Sequence, residues 1–158
     1  MNNISSLSKG ELIKNNENLV NEYLENEGYD LIKILGNNSK TKYKISKNNL
    51  NYIIKIMGYR YNPKARGNYA WVKKHNFELN EYNYLFFVLY YLEKVYILKI
   101  PVEVFVKPKE NSPFKNHDYW NNKKTAPEYG INIERNTIKE LLSYSVAESC
   151  NFFSLCNN

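Results

Sequence analysis

Eleven cationic side chains stand between Leu31 and Phe77 with no Asp or Glu among them: Lys33, Lys40, Lys42, Lys44, Lys47, Lys55, Arg60, Lys64, Arg66, Lys73 and Lys74. Residues 1–30 carry two basic and six acidic side chains, and residues 78–158 carry nine and ten, so the net charge of +6 comes from this one segment. A field of that kind draws phosphate backbones by counterion release, or docks an acidic protein surface; it does little for fold stability. Abundant Asn, Lys, Ile and Tyr fit the codon bias of an AT-rich genome, which accounts for many lysines and tyrosines. It does not account for the missing acids, because Glu is common elsewhere in the chain. Within the segment, Tyr59, Tyr61, Tyr69 and Trp71 interleave with Arg60, Lys64, Arg66, Lys73 and Lys74. Arginine forks onto phosphate or a guanine edge, and an aromatic ring stacks on a base. Trp71 and Tyr69 also alternate as core residues do.

Other chemistries find little support. His75 and His117 are the two histidines, and neither neighbours a carboxylate pair or a second His at ligand spacing. Cys150 and Cys156 have the wrong spacing for a zinc knuckle and read as reduced thiols of a cytoplasmic protein. No Gly-rich phosphate loop or nucleophile motif is present. No stretch approaches the roughly 18 apolar residues of a membrane span, and Met1–Lys9 is too polar for a signal peptide.

The elements that must position these residues follow from pattern. Ser6 or Ser8 caps a helix from about Lys9 to Glu27, with Leu12, Leu19, Val20, Tyr23 and Leu24 on one face and Gly28 as the stop. Strands are expected at Tyr29–Leu35, Tyr43–Ser46 and Leu50–Met57, with turns at Gly36–Ser39 and Lys47–Asn49. Gly58–Asn68 reads as a loop and Tyr69–Val72 as extended. Tyr84–Leu92 reads as the central strand, Lys94–Ile100 as its neighbour, and Pro101–Val106 as a short helix. Pro108–Gly130 reads as a polar loop, Ile133–Val146 as a closing helix, and Cys150–Asn158 as a loose tail. One domain over residues 1–148 and a tail over 149–158 are expected, with helices and strands in a single α/β unit.

Several stretches carry a resemblance. Ser8-Lys9-Gly10-Glu11, Glu17 to Leu24 and Glu27-Gly28-Tyr29 look like a first helix leading into a strand. Gly36-Asn37-Asn38-Ser39 looks like the turn before a catalytic hairpin. Leu85-Phe86-Phe87-Val88-Leu89 and Val95-Tyr96-Ile97-Leu98 look like later core strands, with Trp120 and a helix closing the unit. In that order, over about residues 8–145, the chain resembles the PD-(D/E)XK, or restriction-endonuclease-like, nuclease superfamily. The resemblance implies a core with a central mixed sheet flanked by helices, and an Asp early in the hairpin, with an acid, one residue and a Lys on the next strand, holding metal for phosphodiester hydrolysis. Here those positions fall on Lys44, Lys55 and Met57. Two ammonium groups and a thioether repel Mg²⁺ or ignore it. The chain contains two Asp, Asp30 and Asp118, and neither lies in the hairpin.

The expected function is therefore nucleic-acid binding on a catalytically degenerate nuclease-like fold, with DNA placed ahead of RNA. Lys44 and Lys55 hold phosphate, Arg60, Lys64, Arg66, Lys73 and Lys74 follow the backbone, and Tyr59, Tyr61 or Trp71 stack. No cofactor or metal is expected. One alternative is an Mg²⁺-dependent endonuclease with migrated groups drawn from Glu17, Glu11 or Asp30. Another is a basic surface that docks an acidic protein partner or inhibits a nucleic-acid-processing complex. No membrane association is expected, and a homodimer is among the states such folds adopt.

Overall fold

The computed structural model describes residues 6–37, 40–118 and 126–150. Helix α1 (Lys9–Asn26) starts where a capping box fixes it: the Ser8 hydroxyl accepts from the Glu11 amide, and the Glu11 carboxylate accepts from the Ser8 amide at 2.8 Å. Asn16, Val20 and Leu24 are its buried residues. Gly28, at φ 77, turns the chain into β1 (Asp30–Leu35). Strands β2 (Lys42–Lys47) and β3 (Leu50–Arg60) form a hairpin. Its turn residues Asn48 and Asn49 have φ of 53 and 63, the double left-handed conformation that matches strand twist and that Asn tolerates.

β4 (Tyr69–Lys73) then leaves this sheet. Two 3-10 turns (Lys74–Asn76 and Leu79–Glu81) lead back to β5 (Tyr84–Tyr91) and β6 (Lys94–Pro101). A 3-10 turn at Val102–Phe105, β7 (Phe114–His117), β8 (Glu128–Asn132), α2 (Ile138–Leu142) and β9 (Ser145–Cys150) follow. Among the described residues the main sheet has six strands in the order β1-β2-β3-β5-β6-β9, and the second has three, β4-β8-β7. Every described pairing is antiparallel except β3 with β5, so the central sheet is mixed.

β5 is apolar throughout because both its faces are covered. Phe86, Val88 and Tyr90 join Val20, Leu24, Ile45 and Ile54 beneath α1. Leu85, Phe87 and Leu89 join Ala70, Phe77, Phe105, Ile131 and Leu141 on the opposite face. α1 therefore covers one face of the main sheet, and the second sheet and the 3-10 turns cover the other. Among the described residues no helix is long and apolar enough to cross a membrane.

The first helix, the hairpin and the central strand stand where pattern placed them. Four segments differ. β3 continues past Met57 to Arg60, so Tyr59 and Arg60 are strand residues rather than loop residues. Gly58 permits this, because Asn16 of α1 packs directly over it: a Cβ there would lie 2.2 Å from Asn16 Nδ2. The stretch expected as polar loop holds β7 and the start of β8; these strands of four and five residues are too short for clear alternation. The expected closing helix shrinks to Ile138–Leu142, because Thr137 ties residues 132–137 into a turn, its hydroxyl donating to Asn132 O and accepting from the Glu134 amide. Ser145–Cys150 is a strand, so the boundary at 148/149 cuts β9. Asn38, Ser39, Trp120 and residues 151–158, with Cys156, lie outside the described residues.

Candidate functional site

β3 is longer than its hairpin partner. β2 pairs with Leu50 to Ile54, whereas β5 pairs with Ile54 to Arg60. Residues 55–60 are thus paired along one edge by β5 and extend beyond β2 on the other. The Tyr61 amide donates to Tyr90 O, and Ile53 O accepts from the Asn83 amide, so the odd-numbered residues aim their main chain at the β5 side. By alternation the main-chain groups of Ile56, Gly58 and Arg60 aim at the opposite edge. Along that edge runs a cleft of about 810 Å³, walled by α1, β3 and β4.

Among the described residues the cations of the wall are Lys9, Lys55, Arg60 and Lys73, and its one carboxylate is Glu17. Glu17 accepts a hydrogen bond from the Tyr43 hydroxyl; burial, then this bond, pushes the Tyr43 pKa upward. Arg60 Nη1 donates to Leu7 O at 3.4 Å, tying the strand to the residues ahead of α1. Lys73 is paired with Glu128 at 2.6 Å. Lys55 is 5% exposed. Burial lowers its pKa to about 8, with a further contribution from Lys42. Its ammonium lies 5.9 Å from the centroid of the Tyr82 ring.

The hairpin thus brings Lys55 near Lys42 rather than pairing it with Lys44. Lys42 is held by Glu81 and lies 5.3 Å from the Tyr82 centroid. Lys44 faces Ile53 on β3 and Lys33 on β1 and does not line the cleft. Lys74 turns away as well: it pairs with Asp118 at 2.6 Å and lines a separate cavity with Glu78, Asn116 and Tyr129. Lys64 and Arg66 are exposed in the loop after β3. Tyr59 lines the cleft, and its hydroxyl donates to Asn68 Oδ1 at 3.2 Å. Tyr61 packs on Tyr91 at 4.7 Å beside the core, so it is placed for packing. Trp71, 39% exposed, also lines the cleft.

The carboxylates considered for a metal site are separated. Glu11 belongs to the capping box, Glu17 to the cleft, and Asp30 is exposed at the start of β1 opposite Ser46. Among the described residues no three His, Cys, Asp or Glu side chains group as metal ligands. The cleft donors do not fit Mg²⁺, which takes oxygen ligands and is repelled by ammonium and guanidinium groups. Sequence reasoning overlooked Lys9 and Asn16 as cleft residues. For Lys9 one signal existed: it sits in the first turn of a helix, where the dipole disfavours a cation.

Fold and site together define a mixed α/β protein with a cationic cleft along a strand edge. No known family matches the chain, and no characterised protein matches it by sequence. A solved structure, that of MepB, is similar at 12% identity over 85% of this chain and 95% of that chain, with a TM-score of 0.38. A likeness that slight carries no argument about either protein.

Proposed function

We propose that this chain binds nucleic acid, DNA in the first instance, on a restriction-endonuclease-like core that has lost its catalytic positions. It holds phosphate in the cleft without a metal. The observation that carries this reading is the make-up of the wall among the described residues: four cations from three elements, against one carboxylate already engaged by Tyr43. Ammonium, guanidinium and main-chain amide groups are the donors that phosphate oxygens take. Lys55 adds to this, because burial and Lys42 disfavour its charged form and an anion in the cleft favours it.

Two features support the nuclease-like core. Helix, strand, hairpin and basic loop come in the order on which the resemblance rests, and the apolar central strand follows after β4 and two 3-10 turns. The resemblance aligns Lys55 and Met57 with an acid and a lysine of active members, and both residues belong to β3. A lysine in place of a metal-binding acid turns a cutter into a holder. Lys9, Lys55, Arg60 and Lys73 then form the phosphate track. Lys64 and Arg66 extend it, and Lys44 and Lys74 lie off it.

The test is a salt titration of oligonucleotide binding with Arg60→Gln and Lys9→Gln. Each change removes one phosphate contact, so the slope of log K against log salt falls by about 0.9 for duplex or about 0.7 for single strand. Unchanged affinity and slope in both variants would remove the cleft from the account. A partner from cell extract that stays bound after nuclease digestion would move the basic surface to an acidic protein.

A further inference from the structure

The second sheet presents an aromatic plate that the phosphate cleft does not explain. On β4, Ala70 and Val72 face the core, which leaves Tyr69 and Trp71 on the outer face. The two rings are 5.5 Å apart and 14° from parallel, and His117 of β7 lies 5.4 Å from Trp71. Two glycines make room for them. A Cβ on Gly130, which pairs with Trp71, would lie 2.3 Å from Trp71 Cζ3; one on Gly67 would lie 2.9 Å from Tyr69 Cε2. Each ring therefore packs down onto backbone and keeps much of its area in solvent: Tyr69 is 40% and Trp71 39% exposed. Strand pairing puts Lys115 opposite Gly130, on the same outer face. Trp71 and Lys73 line the cleft too, so plate and cleft share a border.

We propose that the plate is a base-stacking platform for single-stranded nucleic acid, with a base on the Trp71 and Tyr69 rings and its phosphates running into the cleft. This rests on the reading that the cleft binds phosphate. The chemistry selects the ligand. In a duplex the base faces are buried in the stack, whereas a single strand offers them to an exposed ring at little cost. The cations at the border suit a polyanion, and the flat rings suit its bases. An acidic protein surface gains nothing from the plate, because a carboxylate is repelled by the electron-rich face of an aromatic ring.

The test separates base from phosphate. Oligothymidylate and an abasic oligonucleotide of equal length carry the same backbone charge and differ in what can stack. The unmodified chain should bind oligothymidylate more tightly, by between about fivefold and about 150-fold per stacked base. Trp71→Ala should erase that preference, bringing the ratio of the two affinities close to one, and Trp71→Phe should keep part of it. Thermal melting of each variant checks folding, and Tyr69→Ala reads the same preference if Trp71→Ala does not fold. Equal binding of both oligonucleotides by the unmodified chain overturns the platform and leaves the phosphate cleft standing. Binding of neither overturns both.

Discussion

Lys55→Met tests whether the cleft carries a charge at the expense of stability. Lys55 is 5% exposed, and its pKa is lowered from 10.5 to about 8, first by burial and then by Lys42. The unfolded chain therefore binds this proton more tightly than the folded one. Stability is lowest below pH 8 and rises as the pH climbs toward the unfolded value. Holding the charge at pH 7 costs about 3 kcal/mol, and by pH 9.5 about 2 kcal/mol of that is relieved. Methionine keeps most of the length and removes the charge. The variant should thus be the more stable protein at pH 7, and its advantage should shrink by about 2 kcal/mol at pH 9.5. In a chain of this size that is a change of about 4–8 °C in the gap between melting temperatures. Tyr82, whose pKa burial raises to about 12, loses stability only above the ordinary tyrosine range, and does so in both proteins. The same substitution should weaken oligonucleotide binding at pH 7, because it removes a phosphate donor. Thermal melts and fluorescence anisotropy at the two pH values read both effects. A variant less stable than the parent at pH 7, or a gap that does not change with pH, would refute the reasoning.

Three further outcomes are expected. Gly58→Ala should cost about 1–3 kcal/mol, because its Cβ would meet Asn16, which Tyr90 holds through a 2.7 Å hydrogen bond; denaturant melts in which Asn16→Ala recovers none of the loss would count against this packing. Ser8→Ala should lower stability by about 1 kcal/mol through loss of the capping box, read as a shift in denaturant midpoint. Glu128→Gln releases Lys73 beside the cleft and should tighten oligonucleotide binding at low salt; weaker binding would mean that the Lys73–Glu128 pair itself forms the binding surface.

Long periodic elements were legible in the sequence, and short ones were not. The Ser8 cap, the face of α1, the Asn48-Asn49 turn and the apolar run of β5 each announce themselves through local chemistry, and each stands in the structure. β7, β8 and β9 have four to six residues each, with polar residues interspersed, and pattern alone did not separate them from loop or helix. Ile133 to Val146 has helical spacing, but Thr137 commits its first part to a turn. The basic segment was plain as composition, yet its sharing among surfaces was not. Lys42, Lys73 and Lys74 are bound to Glu81, Glu128 and Asp118, acids far away in the sequence, and only the three-dimensional fold brings them together. For the same reason Lys9, 46 residues before Lys55, was invisible as a neighbour of the cleft.

The central claim is metal-independent phosphate binding by the β3 cleft. It is tested most directly by fluorescence anisotropy with labelled duplex and single-stranded oligonucleotides across a salt series, first in EDTA and then in Mg²⁺, with the samples afterwards run on a denaturing gel. The account predicts binding in EDTA that falls steeply with salt, the same binding in Mg²⁺, and intact oligonucleotide throughout. Cleavage in Mg²⁺, or binding that ignores salt, would contradict it.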